Sequence, residues 1–281
     1  MLDVFRSKQS KEESKKYKYG IVLSGGGTRG FAHLGVLKAL EEADIKPDII
    51  SGVSAGSIVG ALYADGKQPE EILEALTSQK IFQYLDFTIP KTGLVKMTGF
   101  EKLLNKHLRA QNFEDLSMPL KVYAVNINTA EYKCFDSGPL AIAIKASSSI
   151  PIIFPPIEIN KEFYCDGGVI NNFPVEPLID TCERIIGVNV NPLAKKKGID
   201  NLKKIAERTF QLTIRSHTIE RKKYCHLYIE PDGIGDYGIL DLSSGKDIYQ
   251  LGYNSTKKAL EETNWETQEE DVKTLFPGPA D

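Results

Sequence analysis

Ile49-Ile50-Ser51-Gly52-Val53-Ser54-Ala55-Gly56-Ser57-Ile58-Val59-Gly60-Ala61 is the stretch whose reading decides the fold. Its β-branched opening reads as a short buried strand, and the small residues that follow open a helix able to pack tightly on that strand. Between them, Gly52-Val53-Ser54-Ala55-Gly56 forms a G-x-S-x-G. At a sharp strand-to-helix turn the central residue is held in a strained backbone conformation, and the glycines two positions to either side let neighbouring chain pass close by. Such a turn lifts the Ser54 hydroxyl into a cleft. The first turn of the helix adds unpaired N–H groups and a positive dipole end. A glycine-lined turn whose serine only caps a helix explains the pentapeptide equally well, so other stretches must decide.

A second glycine motif lies upstream. Tyr19-Gly20-Ile21-Val22-Leu23-Ser24 reads as a strand, Gly25-Gly26-Gly27-Thr28-Arg29-Gly30 follows it directly, and a helix over 31–43 carries Leu34, Leu37 and Leu40 on one face. The arrangement satisfies G-x-G-x-x-G and raises a dinucleotide-binding reading. That reading needs an acidic residue at the end of the second strand to hold a ribose. Here the second strand ends in Gly52-Val53-Ser54, and Asp48 stands at its beginning. No G-K-[ST] ending marks a phosphate-binding P-loop either. The remaining use of such a loop beside a serine elbow is to cradle an anion, since successive glycine N–H groups can surround an oxyanion.

Composition describes an ordinary globular chain. The 281 residues can bury a large core; 41% are hydrophobic, 26% are charged, and the formal net charge is −3. A small acidic excess gives no reason to expect nucleic acid as the partner. No apolar run approaches the length needed to span a bilayer. The four cysteines, Cys134, Cys165, Cys182 and Cys225, form no C-x-x-C pair, and the N-terminus has no apolar signal core, which fits reduced thiols in a cytoplasm. Nor does any His/Cys spacing suggest a metal site. The expectation is chemistry without metal or cofactor.

Along the rest of the chain, residues 1–18 read as a polar flexible tail, 19–263 as a single α/β domain, and 264–281 as an acidic C-terminal tail. The stretch 78–100 mixes Phe82, Tyr84, Leu85, Phe87, Ile89 and Met97 with Pro90 and Gly93; it reads as a flap over an apolar cleft or a core-covering connection. Strands are expected over 120–128 and 131–136 and a helix over 140–147. Ser147-Ser148-Ser149-Ile150-Pro151-Ile152-Ile153-Phe154-Pro155-Pro156 is a proline-punctuated loop that no regular helix could hold. Phe163-Tyr164-Cys165 is a short strand, and Asp166-Gly167-Gly168 places a carboxylate at its end. Taken alone, Asp-Gly-Gly is a turn. Later come a strongly apolar strand over 184–191, a long basic amphipathic helix over 201–223, a short strand over 227–230 and a closing helix over 246–262.

Taken in order, Gly25-Gly26-Gly27-Thr28-Arg29-Gly30, Gly52-Val53-Ser54-Ala55-Gly56 and Asp166-Gly167-Gly168 resemble the patatin-like phospholipase family, and the similarity takes in the 147–156 loop, Asn172 and Pro174, so that it covers residues 19–190. The resemblance implies a three-layer α/β/α sandwich with a mostly parallel central sheet. It also implies hydrolysis of acyl esters of lipids, of the phospholipase A or lysophospholipase type, by a serine–aspartate dyad. Carried over residue by residue, Ser54 is the nucleophile, Asp166 its base, and Gly25, Gly26, Gly27, Thr28, Arg29 and Gly30 form the oxyanion hole, with Gly52, Gly56, Gly167 and Gly168 in support. An acyltransferase using the same acyl-serine, and a catalytically silent domain of the same fold, are the alternatives.

The chemistry agrees with that assignment, because serine is a poor nucleophile at its own pKa and needs a base within about 3 Å. Four histidines compete with Asp166 for that role: His33, His107, His217 and His226. In an ordinary α/β-hydrolase the histidine follows late in the chain, and His226 is the one placed in that way, so a histidine-assisted triad stays open. The partner implied is a phospholipid or other acyl lipid, met by peripheral contact with a membrane or micelle. Ile150, Ile152, Ile153 and Phe154, with Phe82, Tyr84, Leu85 and Phe87, are the apolar side chains available for that contact or for the core.

Overall fold

The computed structural model describes residues 15–78, 98–192, 198–200, 221–239 and 242–264, with single helical positions between 205 and 220. The flap reading of 78–100 and both tail readings therefore fall largely outside the described residues. The strands are β1 (Tyr17–Leu23), β2 (Ile49–Val53), β3 (Leu120–Asn126), β4 (Glu131–Phe135), β5 (Ile157–Ile159), β6 (Glu162–Asp166), β7 (Cys182–Val188) and β8 (Leu227–Ile229). The α-helices with continuous description are α1 (Phe31–Glu42), α2 (Ala55–Ala64), α3 (Pro69–Thr77), α4 (Thr98–His107), α5 (Leu140–Ser147), α6 (Glu176–Ile179) and α7 (Gly245–Glu262). β1 begins at Tyr17, inside the stretch read as tail, because its N–H bonds the Thr181 carbonyl at 2.9 Å.

A parallel run β3-β2-β1-β7-β8 forms the centre of the eight-stranded sheet, and β4, β5 and β6 add antiparallel pairings. Both faces are covered, as a parallel sheet requires. In β1, Ile21 and Leu23 enter the large cluster under α1, α2, α3 and α7, while Val22 enters the smaller cluster formed with Phe173, Val175 and Leu178. Alternate residues thus feed two cores, giving the expected α/β/α layering with unequal outer layers.

The pairings of β3 place the site. Residues 122–126 of β3 pair with β4, so β4 occupies one edge of that strand. On the opposite edge, β2 pairs with residues 120–123 and β6 with 124–126. Two strands therefore run toward each other along one edge of β3 and meet where Tyr123 gives way to Ala124: Val53 is level with Tyr123, and Asp166 with Ala124. The residue after the tip of β2 is Ser54.

The closing helix α7 packs on α1 at backbone distance. A methyl group on Gly35 would strike the Tyr249 carbonyl, and one on Gly252 would strike the Ala32 carbonyl. Neither obstacle is a flexible side chain, so the helices must separate to admit one. Gly252→Val is expected to destabilise the fold by about 1–3 kcal/mol or more, read as a lower denaturant midpoint. Asn254→Ala, on the exposed side of the same helix, should stay within about 0.5 kcal/mol of the parent.

Candidate active site

Ser54 occupies the turn between β2 and α2 with φ 52° and ψ −124°, the left-handed side of backbone space that a non-glycine residue enters only under constraint. The turn is enforced by close passage: a Cβ on Gly56 would collide with the Leu23 carbonyl, and one on Gly52 would lie 2.7 Å from the Gly56 oxygen. The Ser54 N–H donates to the Ser147 hydroxyl at 2.9 Å, and its carbonyl accepts from the Ser57 hydroxyl at 2.6 Å. Ser54 is therefore held on both sides of its α-carbon, although the residue is only 5% exposed.

Asp166 is wholly buried at the end of β6. Its N–H donates to the Ser149 carbonyl at 2.9 Å, and one carboxylate oxygen, Oδ1, accepts from the Gly168 N–H at 2.8 Å. Burial pushes its pKa up to about 7, against smaller downward pulls from the Ser54 hydroxyl and the Gly168 N–H. Oδ2 makes no hydrogen bond of good geometry among the described residues, so the Ser54 hydroxyl stands near without a fully formed bond. One short segment braces both groups, since Ser147 holds the elbow and Ser149 holds Asp166. The prolines of this loop stand out in the sequence, whereas the brace from the Ser147 hydroxyl and the main-chain brace from Ser149 have no local signal there.

The glycine loop is stapled to a segment far along the chain. Thr28 donates its N–H to the Ile239 carbonyl at 3.0 Å and its hydroxyl to the Gly238 carbonyl at 2.7 Å. The buried Arg29 guanidinium donates to the carbonyls of Gly235 and Tyr237, and the Arg29 N–H to that of Gly26 at 3.3 Å. Those two N–H groups are engaged, whereas those of Gly25, Gly26 and Gly27 have no backbone acceptor among the described residues. Gly26, Gly27 and Ser54 line a narrow cleft together with Ile150, Asn172, Asn191, Ile214 and Ile239. Asn191, Ile214 and the 235–239 segment lie outside the three motifs. The only local signal of that segment is the spacing of Gly233, Gly235 and Gly238.

The histidines lie elsewhere. His226 stands before β8, where its Nδ1 accepts from the Ile185 N–H at 3.0 Å. Ile185 is level with Gly20 and, through it, with Ile49 at the start of β2, so His226 sits at the opposite end of the sheet from Ser54. Burial lowers the pKa of His226 to about 4. His33, fully buried and likewise lowered to about 4 by burial, places Nε2 2.8 Å from the Ser24 carbonyl and supports the strand that precedes the loop. His107 ends α4, and His217 lies outside the described residues.

Asp166 carries a sign that can be measured. In the unfolded chain it titrates near 3.8 and in the folded one near 7, so the folded state binds the proton more tightly between those values. Its contribution to stability is complete below the unfolded value and is lost as pH rises through about 7. His33 and His226 titrate alike in both proteins, so the denaturant midpoint of the parent relative to that of Asp166→Asn should therefore fall as pH is raised from 4 to 8. Parallel profiles for the two proteins would mean an ordinary surface-like carboxylate.

Known proteins provide the comparison. The patatin-like phospholipase family matches residues 21–179. Lysophospholipase NTE1 of Kluyveromyces lactis is 31% identical over 268 residues, a stretch covering 83% of this chain and 18% of the relative. Patatin-like phospholipase domain-containing protein 7 of Rattus norvegicus is 29% identical over 270 residues, covering 83% and 20%. The chain thus spans about a fifth of the length of these curated relatives, and its likeness to them is wider than residues 19–190. The crystal structure of VipD from Legionella pneumophila shares the fold, with a TM-score of 0.54 at 17% identity over 88% of this chain and 67% of that one. Because the matched stretch runs from β1 to the end of α6 and contains the glycine loop, the Ser54 elbow and Asp166, the chain belongs to the patatin-like phospholipase family.

Proposed function

We propose that this chain is a serine hydrolase of lipid acyl esters working through Ser54 and Asp166. The observation that carries the reading is the abutment of β2 and β6 on one edge of β3, which sets a strained serine beside a fully buried carboxyl group. A carboxylate with its pKa raised to about 7 is a far better proton acceptor than an exposed one, yet it is substantially ionised at neutral pH. Relatives named as a lysophospholipase and a phospholipase-domain protein support lipid as the substrate class. Ile150, Ile214 and Ile239 along the cleft suit an acyl chain.

In this mechanism Asp166 takes the Ser54 proton as the oxygen attacks the ester carbonyl. The tetrahedral oxyanion is met by the amides of Gly25, Gly26 and Gly27, with the positive end of α2 behind Ser54. Collapse breaks the bond to the alcohol, which leaves with the proton from Asp166, and Ser54 remains acylated. Water then gives a proton to Asp166 as it attacks the acyl-enzyme, and the proton returns to Ser54 when the free acid departs. Arg29 has a structural part here, because its guanidinium is engaged with carbonyl groups.

A fluorophosphonate should label wild-type protein on Ser54 and leave folded Ser54→Ala unlabelled, and a panel of lipid esters then identifies the product. Asp166→Asn should reduce kcat by about 10³ or more, since the amide accepts no proton. The wild-type kcat/KM should rise with pH along a limb centred near 7, where Asp166 ionises. A folded protein without label on Ser54, or a histidine-like activity loss in His226→Ala, would remove the dyad.

Contact with a lipid surface is the second part of the proposal. The proline loop divides: Ile150 is 5% exposed and lines the cleft, whereas Ile152 is 67% exposed and holds φ at 73° despite its β-branched side chain. A strained, exposed apolar tip beside the cleft mouth is suited to entering a lipid layer. Ile152→Ser should raise the apparent KM for phosphatidylcholine vesicles severalfold while leaving turnover of a short soluble ester within about twofold. Equal losses on both substrates would assign Ile152 to the packing of the loop.

A further inference from the structure

The first peptide of the glycine loop is held by two side chains from distant parts of the chain. The Gly25 carbonyl accepts from Asn172 Nδ2 at 3.2 Å and also from Asn191 Nδ2. Asn172 is 1% exposed and follows Asp166 through the short turn at Gly167, whereas Asn191 is half-buried and follows β7. Both line the cleft with Ser54 and Gly26. The loop comes so close to them that a Cβ on Gly25 would collide with Asn172 Oδ1, and one on Gly26 would lie 3.1 Å from Asn191 Nδ2.

Neither amide completes its own hydrogen bonding. Asn172 Oδ1 and Asn191 Oδ1 are buried without a partner among the described residues. An unpaired buried acceptor is unfavourable, and contacts made only for packing have no reason to retain two of them at one point. What the pair achieves is to fix one carbonyl. In a trans peptide the C=O and the following N–H point in opposite directions, so holding the Gly25 carbonyl also sets the direction of the Gly26 N–H. Two donors on one carbonyl polarise the peptide and strengthen its N–H as a donor. They also prevent that carbonyl from turning toward the place where negative charge develops.

We propose that Asn172 and Asn191 are positioning residues for the oxyanion loop, acting together through the Gly25 carbonyl to orient the Gly25–Gly26 peptide. The proposal rests on the hydrolase reading given above. It further links the two halves of the site, because the chain that carries Asp166 also carries one of the two amides holding the loop. Transition-state charge is stabilised only by donors aimed at it, and a misaligned donor loses most of its effect.

The test uses Asn172→Ala, Asn191→Ala and the double variant, assayed on p-nitrophenyl butyrate and titrated with a short-chain trifluoromethyl ketone, whose adduct with serine bears an oxyanion. Each single change should lower kcat by about tenfold to a hundredfold with KM within about twofold. The inhibition constant of the ketone should rise by the same factor as kcat falls. The double variant should lose less than the product of the single losses, because both amides serve one carbonyl. Asn191→Asp, which keeps the side-chain volume but replaces the donor by an acceptor, should repeat the pattern and covers the case in which an alanine variant fails to fold. A double variant with kcat unchanged, or a fall in kcat with no change in the affinity for the ketone, would overturn the clamp while leaving the hydrolase reading intact. Wild-type protein that turns over no ester and takes no phosphonate on Ser54 would overturn that reading instead.

Discussion

Everything at this site follows from the end-to-end meeting of two strands on one edge of β3. Parallel β2 and antiparallel β6 cannot occupy the same length of that edge, so each stops where the other begins, between Tyr123 and Ala124. A strand end frees the chain to turn, and here both turns carry a candidate site residue: one raises Ser54, and the other caps Gly168 with Asp166. The junction is tight. A methyl on Gly167 would lie 2.5 Å from the Tyr123 oxygen and 2.8 Å from Val53 Cγ2, so the two tips approach without room for a larger residue.

Burial does the electrostatic work. A carboxyl group surrounded by the sheet, with one N–H donor and one hydroxyl nearby, has too little stabilisation for its charge, and its pKa rises to about 7. The same burial neutralises His33 and His226, whose ring nitrogens contact the main chain at Ser24, just after β1, and at Ile185 in β7. One physical effect thus raises the carboxyl of Asp166 toward neutrality and keeps both imidazoles uncharged. The energetic consequence is a site that opposes the stability of its own fold at neutral pH, which strained and desolvated functional groups commonly do.

The loop that faces Ser54 is restrained through its carbonyl and side-chain groups, which leaves the N–H groups of Gly25, Gly26 and Gly27 without a backbone acceptor among the described residues. Thr28 and Arg29 tie it to the carbonyls of 235–239, Asn172 and Asn191 hold its first carbonyl, and Ser24 beneath it meets both Val190 and His33. Glycine supplies the shape and distant residues supply the restraint. This division explains why the part of the chain beyond residue 190, which carries none of the three motifs, still contributes Asn191, Ile214 and Ile239 to the cleft.

What the sequence determined by itself is everything that depends on near neighbours. The apolar run in 19–24, the G-x-S-x-G spacing around Ser54, the glycine run at 25–30 and the Asp-Gly-Gly at 166 state their local geometry, because steric limits on the backbone act over a few residues. The three motifs in order also carried the family. Other features were beyond that reach: the level of Asp166 against Ser54, the placing of His226 at the far end of the sheet, the Ser147 hydroxyl and the Ser149 carbonyl as braces, and the Gly25 carbonyl shared by two asparagines. Each depends on which strand lies beside which and in what register. That is decided by the joint burial of two cores over the whole sheet, so no local pattern of residues records it.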